Sequence, residues 1–192
     1  MGEPARRRAT IEDLIPLVAS GQAFELVDGE LVRKASPDVV LGGAQAKLGE
    51  LLGPINRKTG GPRGPGGWWI MTEVDTHYPL SGEVFRHDAQ GYRRELHPER
   101  PRGFPLAVVP QWACEILSSS NARVDLVKKQ RTLHAHRVGH YWVVDPAHET
   151  LTVLRWHEEA YLSVLTAARG DVVRAEPFAE IETSIDDLLG YE

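Results

Sequence analysis

Apolar residues recur along this chain with two different periods, and the points where the period changes mark the expected elements. "ATIEDLIPL" sets Thr10 three residues ahead of Asp13, close to a capping pattern, so a short helix is expected there despite Pro16. "FELVDGELVR" then places two β-prone runs around Asp28-Gly29, the strongest short hairpin signal a sequence offers. From Asp38 to about Arg57, Val40, Leu41, Ala44, Leu48, Leu51, Leu52 and Ile55 return at helical spacing and predict the long N-terminal helix. "TGGPRGPGG" follows, a loop with five glycines and two prolines in nine residues.

"WWIMTEVDTHY", "EVFRHDAQGY" and the more apolar "LAVVPQWACEIL" read as strands. A polar turn, "SSSN", leads to a helix from about Val124 to Arg137. "HYWVVD", "TLTVLRW", "YLSVLTA" and "DVVRAE" are four further strand-like runs, and "TSIDDLLG" is a closing helical turn capped by Ser184 or Thr183. With "CEIL", helix and "YWVVD" forming a right-handed βαβ unit, the pattern predicts an α/β (α+β) fold. A mixed β-sheet flanked by helices is expected, with an N-terminal β-hairpin. Residues 1–192 read as a single domain, and 1–9 as a flexible N-terminus.

Composition narrows the class. At 192 residues with 42% hydrophobic and 26% charged, the chain suits one core of ordinary size. The single cysteine, Cys114, excludes a disulfide scaffold. No run approaches the roughly 18 apolar residues a membrane span needs, and "MGEPARRRAT" lacks the apolar segment of a secretory signal. A cytoplasmic protein without a membrane partner is therefore expected. A net charge of −5 excludes a general nucleic-acid coat. Local clusters such as Arg57, Lys58 and Arg63, or Arg93, Arg94, Arg100 and Arg102, permit phosphate contacts without requiring them. The glycine loop is no P-loop, because no Gly-Lys-Ser/Thr follows, and it leads into a strand rather than a helix.

The informative chemistry lies around "QWACEIL". If the run is extended, Trp112, Cys114 and Ile116 line one face, and Ala113, Glu115 and Leu117 the other. Glu115 is then a lone carboxylate in a central strand, where an ionised group loses its water unless something compensates. On the following helix Lys129 shares the sheet-packing face with Leu126 and Leu133 and can reach back to Glu115; Lys128, three residues after Asp125, faces water. One reading is an ion pair that ties helix to strand. Asp88, in the neighbouring run, supplies another. Two adjacent carboxylates repel unless a cation joins them, and Mg²⁺ or Mn²⁺ accepts a small carboxylate set completed by water. A divalent ion beside a lysine is a standard arrangement for phosphodiester hydrolysis. Glu73 is a secondary candidate for the same site, whereas Asp75 is expected to be solvated. His136 and His140 lack a third zinc ligand. Cys114 reads as an inert core thiol. The Trp68-Trp69 pair could stack on a base or pack in a dimer interface.

"FELVDGELV", "WWIMTEVD", the strand with Asp88, "CEILSSSNARVDLVKKQ" and "VGHYWVVDPAHETLTVLR", in that order from about Thr10 to Leu189, resemble the bacterial "putative restriction endonuclease" family of the PD-(D/E)XK nuclease superfamily. The resemblance implies a restriction-endonuclease-like fold and a Mg²⁺- or Mn²⁺-dependent endonuclease that hydrolyses DNA phosphodiester bonds. Asp88 stands at the family's aspartate, Glu115 at its glutamate, and Lys129 at a lysine position on the helix after the glutamate strand. Glu25 and Glu30, flanking the hairpin turn, match family positions too. Glu25 is the further metal-ligand candidate; Glu30, Glu73 and Lys128 rank below it. The chain departs from the pattern where His87 replaces the usual proline, where Ser118, Ser119 and Ser120 replace Ser-Pro-Ser, and where "VVLGGAQ" leaves an auxiliary polar position empty. A homodimer would supply the two sites that cutting both strands requires. The alternative from another class is a catalytically silent nuclease fold that acts as an interaction module.

Overall fold

In the computed structural model, which describes residues 7–34, 36–59, 65–118 and 122–191, with side chains of the last range from 126, the strands divide between two principal sheets. Helix α1 (Ile11–Ala19) and the hairpin β1 (Phe24–Val27) and β2 (Glu30–Arg33) come first, followed by α2 (Val39–Leu51). Then come β3 (Trp68–Met71), β4 (Val74–Tyr78), β5 (Glu83–His87), β6 (Ala89–Arg93) and β7 (Trp112–Ile116). Helix α3 (Ala122–Ala135), β8 (His140–Asp145), β9 (Thr150–Arg155), β10 (Leu162–Ala168), β11 (Val172–Val173), β12 (Thr183–Ser184) and α4 (Ile185–Leu189) complete the chain. One sheet has the order β2-β1-β5-β4 and the other β10-β9-β8-β7-β6-β3; β11 and β12 form a small third. Only β7 and β8 run parallel among the paired strands, joined by α3 as the crossover a parallel pair requires.

Local chemistry accounts for most boundaries. Asp28 and Gly29 both have positive φ (54° and 76°), the conformation a two-residue hairpin turn demands, and this sets Glu25 opposite Val32 and Val27 opposite Glu30. The Thr10/Asp13 capping box starts α1, Asp38 accepts the Leu41 N–H at the head of α2, and Ser184 caps α4. Helix α2 stops at Leu51 rather than near Arg57, because Pro54 has no N–H and disfavours a helical Gly53 before it.

Two runs that read as single strands each divide. "WWIMTEVDTHY" breaks at Thr72 and Glu73 into β3 and β4, and "EVFRHDAQGY" breaks at Asp88 into β5 and β6. At both breaks the chain passes between the six-stranded and the four-stranded sheet. The two crossings are adjacent, since Val74 pairs with His87 and the Glu73 N–H donates to the His87 carbonyl at 3.2 Å. "DVVRAE" contributes only the two residues of β11.

The six-stranded sheet is buried on both faces. Trp112, Cys114, Ile116 and Trp142 pack with Leu48 of α2, Leu188 of α4 and Phe178. On the other face Ala113, Tyr141 and Val143 meet Leu133 of α3 and Val27, Tyr78 and Phe85 of the smaller sheet. A third cluster, Leu14, Leu26 and Val84, seats α1. Among the described residues no helix is long and apolar enough to cross a membrane. Of the expected flexible segment 1–9, residues 1–6 lie outside the described residues, while Arg7 pairs with Asp13, Arg8 pairs with Asp28, and the Ala9 N–H donates to the Gly29 carbonyl. Residues 60–64 of the glycine loop and 119–121 of the serine turn also lie outside them.

Phe178 meets Trp68, Trp112 and Trp142 edge-on, with ring centroids at 5.1, 5.0 and 5.6 Å. Phe178→Ala should lower stability by about 3–5 kcal/mol in urea unfolding, because a fully buried ring leaves a cavity its indole neighbours fill poorly.

Candidate active site

The seam between the two sheets gathers the polar side chains. Strand β6 begins at Ala89, paired with Cys114, so the next N–H on that edge of β7, at Ile116, has no strand partner. Asp88 supplies one: its Oδ2 accepts the Ile116 N–H at 2.6 Å, which places the Asp88 carboxylate beside the residue that follows Glu115. Its Oδ1 accepts from Lys34 Nζ at 2.9 Å. Lys34 also donates to Glu73 Oε1 (3.2 Å) and to the Arg86 carbonyl (2.6 Å). Gln45 of α2 closes this group, its Nε2 donating to Glu73 Oε1 at 3.0 Å and to the Asp88 carbonyl at 3.1 Å.

A second, deeper group surrounds Glu115. Lys129 Nζ lies 3.1 Å from Glu115 Oε1 and 2.9 Å from Glu25 Oε1, so one ammonium joins α3, β7 and β1. Glu25 Oε1 also accepts the Arg86 N–H at 2.7 Å, replacing a ladder bond where β1 and β5 pair at Leu26 and Val84. His87 Nδ1 is 2.5 Å from Glu115 Oε1, and His87 Nε2 is 2.6 Å from the Tyr78 hydroxyl. Since an ionised carboxylate can only accept, Nδ1 carries a proton and donates to Glu115, while Nε2 is bonded to the Tyr78 hydroxyl.

Burial and charge pull the two central carboxyls apart. Burial would raise Glu115, but Lys129, His87 and Lys34 outweigh it and hold the group well below the usual carboxylate range. Asp88 is pushed up to about 6 by burial and then by the charge of Glu115, against the pull of Lys34 and the Ile116 N–H. Both lysines stay charged: burial lowers each, but their carboxylate partners prevail and raise them. The two groups differ in access, for the Lys129 side chain is 7% exposed, whereas the Glu73 side chain beside Lys34 is 39% exposed.

The structure thus brings Asp88, Glu115, Lys129, Glu25 and Glu73 to one region. Glu30 is exposed and does not join them, because it sits next to the hairpin turn, at the far end of β2 from Lys34. Lys128 also stays out; its Nζ lies 3.9 Å from Asp28 Oδ2, while its expected partner Asp125 falls outside the described side chains. Asp75, expected in solvent, is buried and paired with Arg86 at 3.1 and 2.7 Å, because the two stand directly opposite on β4 and β5. His87, Lys34 and Gln45 are additions that sequence reading missed; Gln45 lies two turns into the "VVLGGAQ" helix, past the start position read as empty. Trp68 is core, Trp69 donates to the His97 carbonyl at 3.0 Å with Arg94 stacked 3.4 Å above its ring, and His136 and His140 bond to separate partners.

A resident metal is tested by the donor set. Among the described residues no three His, Cys, Asp or Glu side chains converge on one point. Asp88 and Glu115, whose charges repel each other, form a two-carboxylate set, which fits Mg²⁺, an ion that uses one or two carboxylates and keeps several waters.

Paired acidic side chains and a lysine thus meet where the chain passes between two sheets. One solved structure, from Anabaena variabilis ATCC 29413 and described as "a putative nuclease belonging to DUF820", shares the fold with a TM-score of 0.68 at 19% identity, over 95% of this chain and 98% of that one. The model of the family described as "Uma2: Putative restriction endonuclease" matches residues 10–186, and the chain belongs to that family. A search of curated proteins finds no match.

Opposite stability effects are expected at the two carboxyls in metal-free protein. The raised Asp88 carboxyl favours the fold while protonated, a contribution present below pH ~4 and lost as pH rises through about 6. Asp88→Asn should therefore be as stable as the parent or up to about 3 kcal/mol more stable at pH 7.5, the gap closing in acid. Glu115→Gln should lose about 3 kcal/mol at pH 7.5, since Lys129 keeps only Glu25, and this loss shrinks as pH falls below ~4.5. Urea unfolding in EDTA across that pH range reads both.

Proposed function

We propose that this protein is a divalent-metal-dependent endonuclease of the PD-(D/E)XK kind, acting on DNA phosphodiester bonds in the cytoplasm. The observation that carries this reading is the unmet demand for positive charge at the seam. Among the described residues Glu25, Glu73, Asp88 and Glu115 pair with two ammonium groups, Lys34 and Lys129, and Asp88 is raised first by burial and then by the charge of Glu115. One divalent ion would offset the excess of carboxylates over ammonium groups there.

Asp88 and Glu115 would hold Mg²⁺ or Mn²⁺, while Glu25 stays committed to Lys129 and the Arg86 N–H. When bound, such an ion polarises a phosphoryl oxygen and acidifies a water. Lys129, permanently charged and fixed between Glu25 and Glu115, does not abstract a proton; it orients the attacking water and offsets charge developing on the phosphate. His87 keeps the Glu115 carboxylate in place from the other side. Glu73 and Gln45 line the accessible side, where a phosphate would enter. Cutting both strands of a duplex calls for two copies, most simply a symmetric dimer.

Supercoiled plasmid at low salt tests this, with Mg²⁺, Mn²⁺ or EDTA and with Asp88→Ala and Lys129→Ala alongside; low salt matters because an acidic protein holds DNA through few cationic contacts. Metal-dependent nicking by the parent, reduced about a hundredfold or more in both variants, is the expected result. Equal traces in every lane would instead favour a silent nuclease fold serving as an interaction module.

A further inference from the structure

Lys34 sits immediately after β2, and its ammonium has three donors. All three are committed, to Asp88 Oδ1 at 2.9 Å, Glu73 Oε1 at 3.2 Å and the Arg86 carbonyl at 2.6 Å. The other Asp88 oxygen, Oδ2, is held by the Ile116 N–H at 2.6 Å. The Asp88 oxygen open to an arriving cation is therefore Oδ1, the atom that Lys34 already occupies. Lys129 is locked inside the protein, but Lys34 stands beside exposed Glu73 and half-buried Gln45, on the side from which solutes reach the seam.

We propose that Lys34 is the resident counter-ion of the metal-free site: its ammonium occupies Asp88 Oδ1 and must be displaced by a divalent cation, so that Lys34 sets the threshold for metal binding. This rests on the metal-dependent reading above and deepens it. Two lysines divide the work. Lys129 neutralises Glu115 whether or not metal is present, since its two carboxylate contacts lie on the buried side. Lys34 neutralises Asp88 only until a stronger cation arrives, and its bond to Glu73 gives the displaced ammonium a partner at the rim. Without Lys34 the metal-free seam would hold two adjacent carboxylates with no cation on Asp88, so removing it costs the empty protein stability and leaves Asp88 Oδ1 free.

Mn²⁺ binding is measured by calorimetry on the whole chain and on Lys34→Met and Lys34→Arg, with thermal melts in EDTA and in Mn²⁺. The expected result is Mn²⁺ affinity about tenfold or more higher in Lys34→Met, from loss of one competing charge-assisted hydrogen bond, with near-parental affinity in Lys34→Arg. Lys34→Met should also melt lower than the parent in EDTA and recover more on adding Mn²⁺. Metal binding by Lys34→Met alone would support the proposal equally. Equal or weaker affinity in Lys34→Met than in a metal-binding parent would overturn it while leaving the metal-dependent reading intact. No binding by any of the three proteins would overturn both. If Lys34→Met does not fold, ¹⁵N-lysine NMR of the parent answers instead: on titration with Mg²⁺ the Lys34 ammonium signal should move while that of Lys129 stays, and an unmoved Lys34 signal with bound Mg²⁺ rejects the displacement.

Discussion

An ionised carboxylate on a central strand costs several kcal/mol of lost hydration unless other groups restore it, and Glu115 draws that restoration from separate elements. Lys129 comes from the helix that crosses between β7 and β8, and His87 from the last position of β5 in the smaller sheet. The same ammonium reaches Glu25 on the hairpin. One buried charge thereby fixes the helix, the hairpin and the smaller sheet against the central strand. Apolar packing of Phe85, Tyr78 and Leu133 holds the same elements together without choosing their register. The charge specifies where they meet, and the packing supplies most of the free energy.

The seam exists because the chain changes sheet twice at the same place. Each change leaves strand-edge groups without ladder partners, and side chains take over that role: Asp88 for the Ile116 N–H, Glu25 for the Arg86 N–H, Lys34 for the Arg86 carbonyl. These hydrogen bonds satisfy the backbone and at the same time hold the carboxylates at the seam. Structural need and candidate chemistry therefore share the same atoms. A substitution here acts on stability and on any metal site together, which is why the sign of a stability change carries more information than its size.

Much of this was legible in the sequence. The period-two pattern of "QWACEIL" separated Glu115 from Trp112, Cys114 and Ile116, and that partition matches the two cores on either side of β7. Helical phase selected Lys129 over Lys128 as the lysine facing the sheet. The residues that were missed follow from geometry that a linear pattern does not contain. "EVFRHDAQGY" reads as one strand, and nothing in its periodicity marks Asp88 as a corner between sheets. Lys34 had a usable signal: the two-residue turn at Asp28-Gly29 sets Glu25 opposite Val32, and counting two further along β2 puts Lys34 on the face of Glu25. His87 had one as well, since it shares strand parity with inward-facing Phe85. Gln45 had none, because its reach to Glu73 and Asp88 depends on where α2 docks.

The charge of the seam also bears on how a nucleic acid could approach it. Among the described residues, four carboxylates against two ammonium groups, on a chain whose net charge is −5, present a phosphate with a repulsive field. At the far end of β6, Arg93 and Arg94 lie over Trp68 and Trp69 at 5.0 and 3.4 Å from the ring centres, and Arg93 also pairs with Glu95 at 3.1 Å. Those two arginines are five and six residues of extended chain from Asp88, roughly 16–20 Å at the rise of a strand. They can hold a polyanion near the seam without delivering a phosphate into it. On the metal-dependent reading, delivery waits for the divalent ion, because only then does the seam cease to repel the substrate. Metal and phosphodiester then favour each other's binding by the same factor, as any two linked ligands must. On that reading a site this acidic would be guarded against phosphate until it is charged with metal, and the guard would be the same pair of carboxylates that hold the ion.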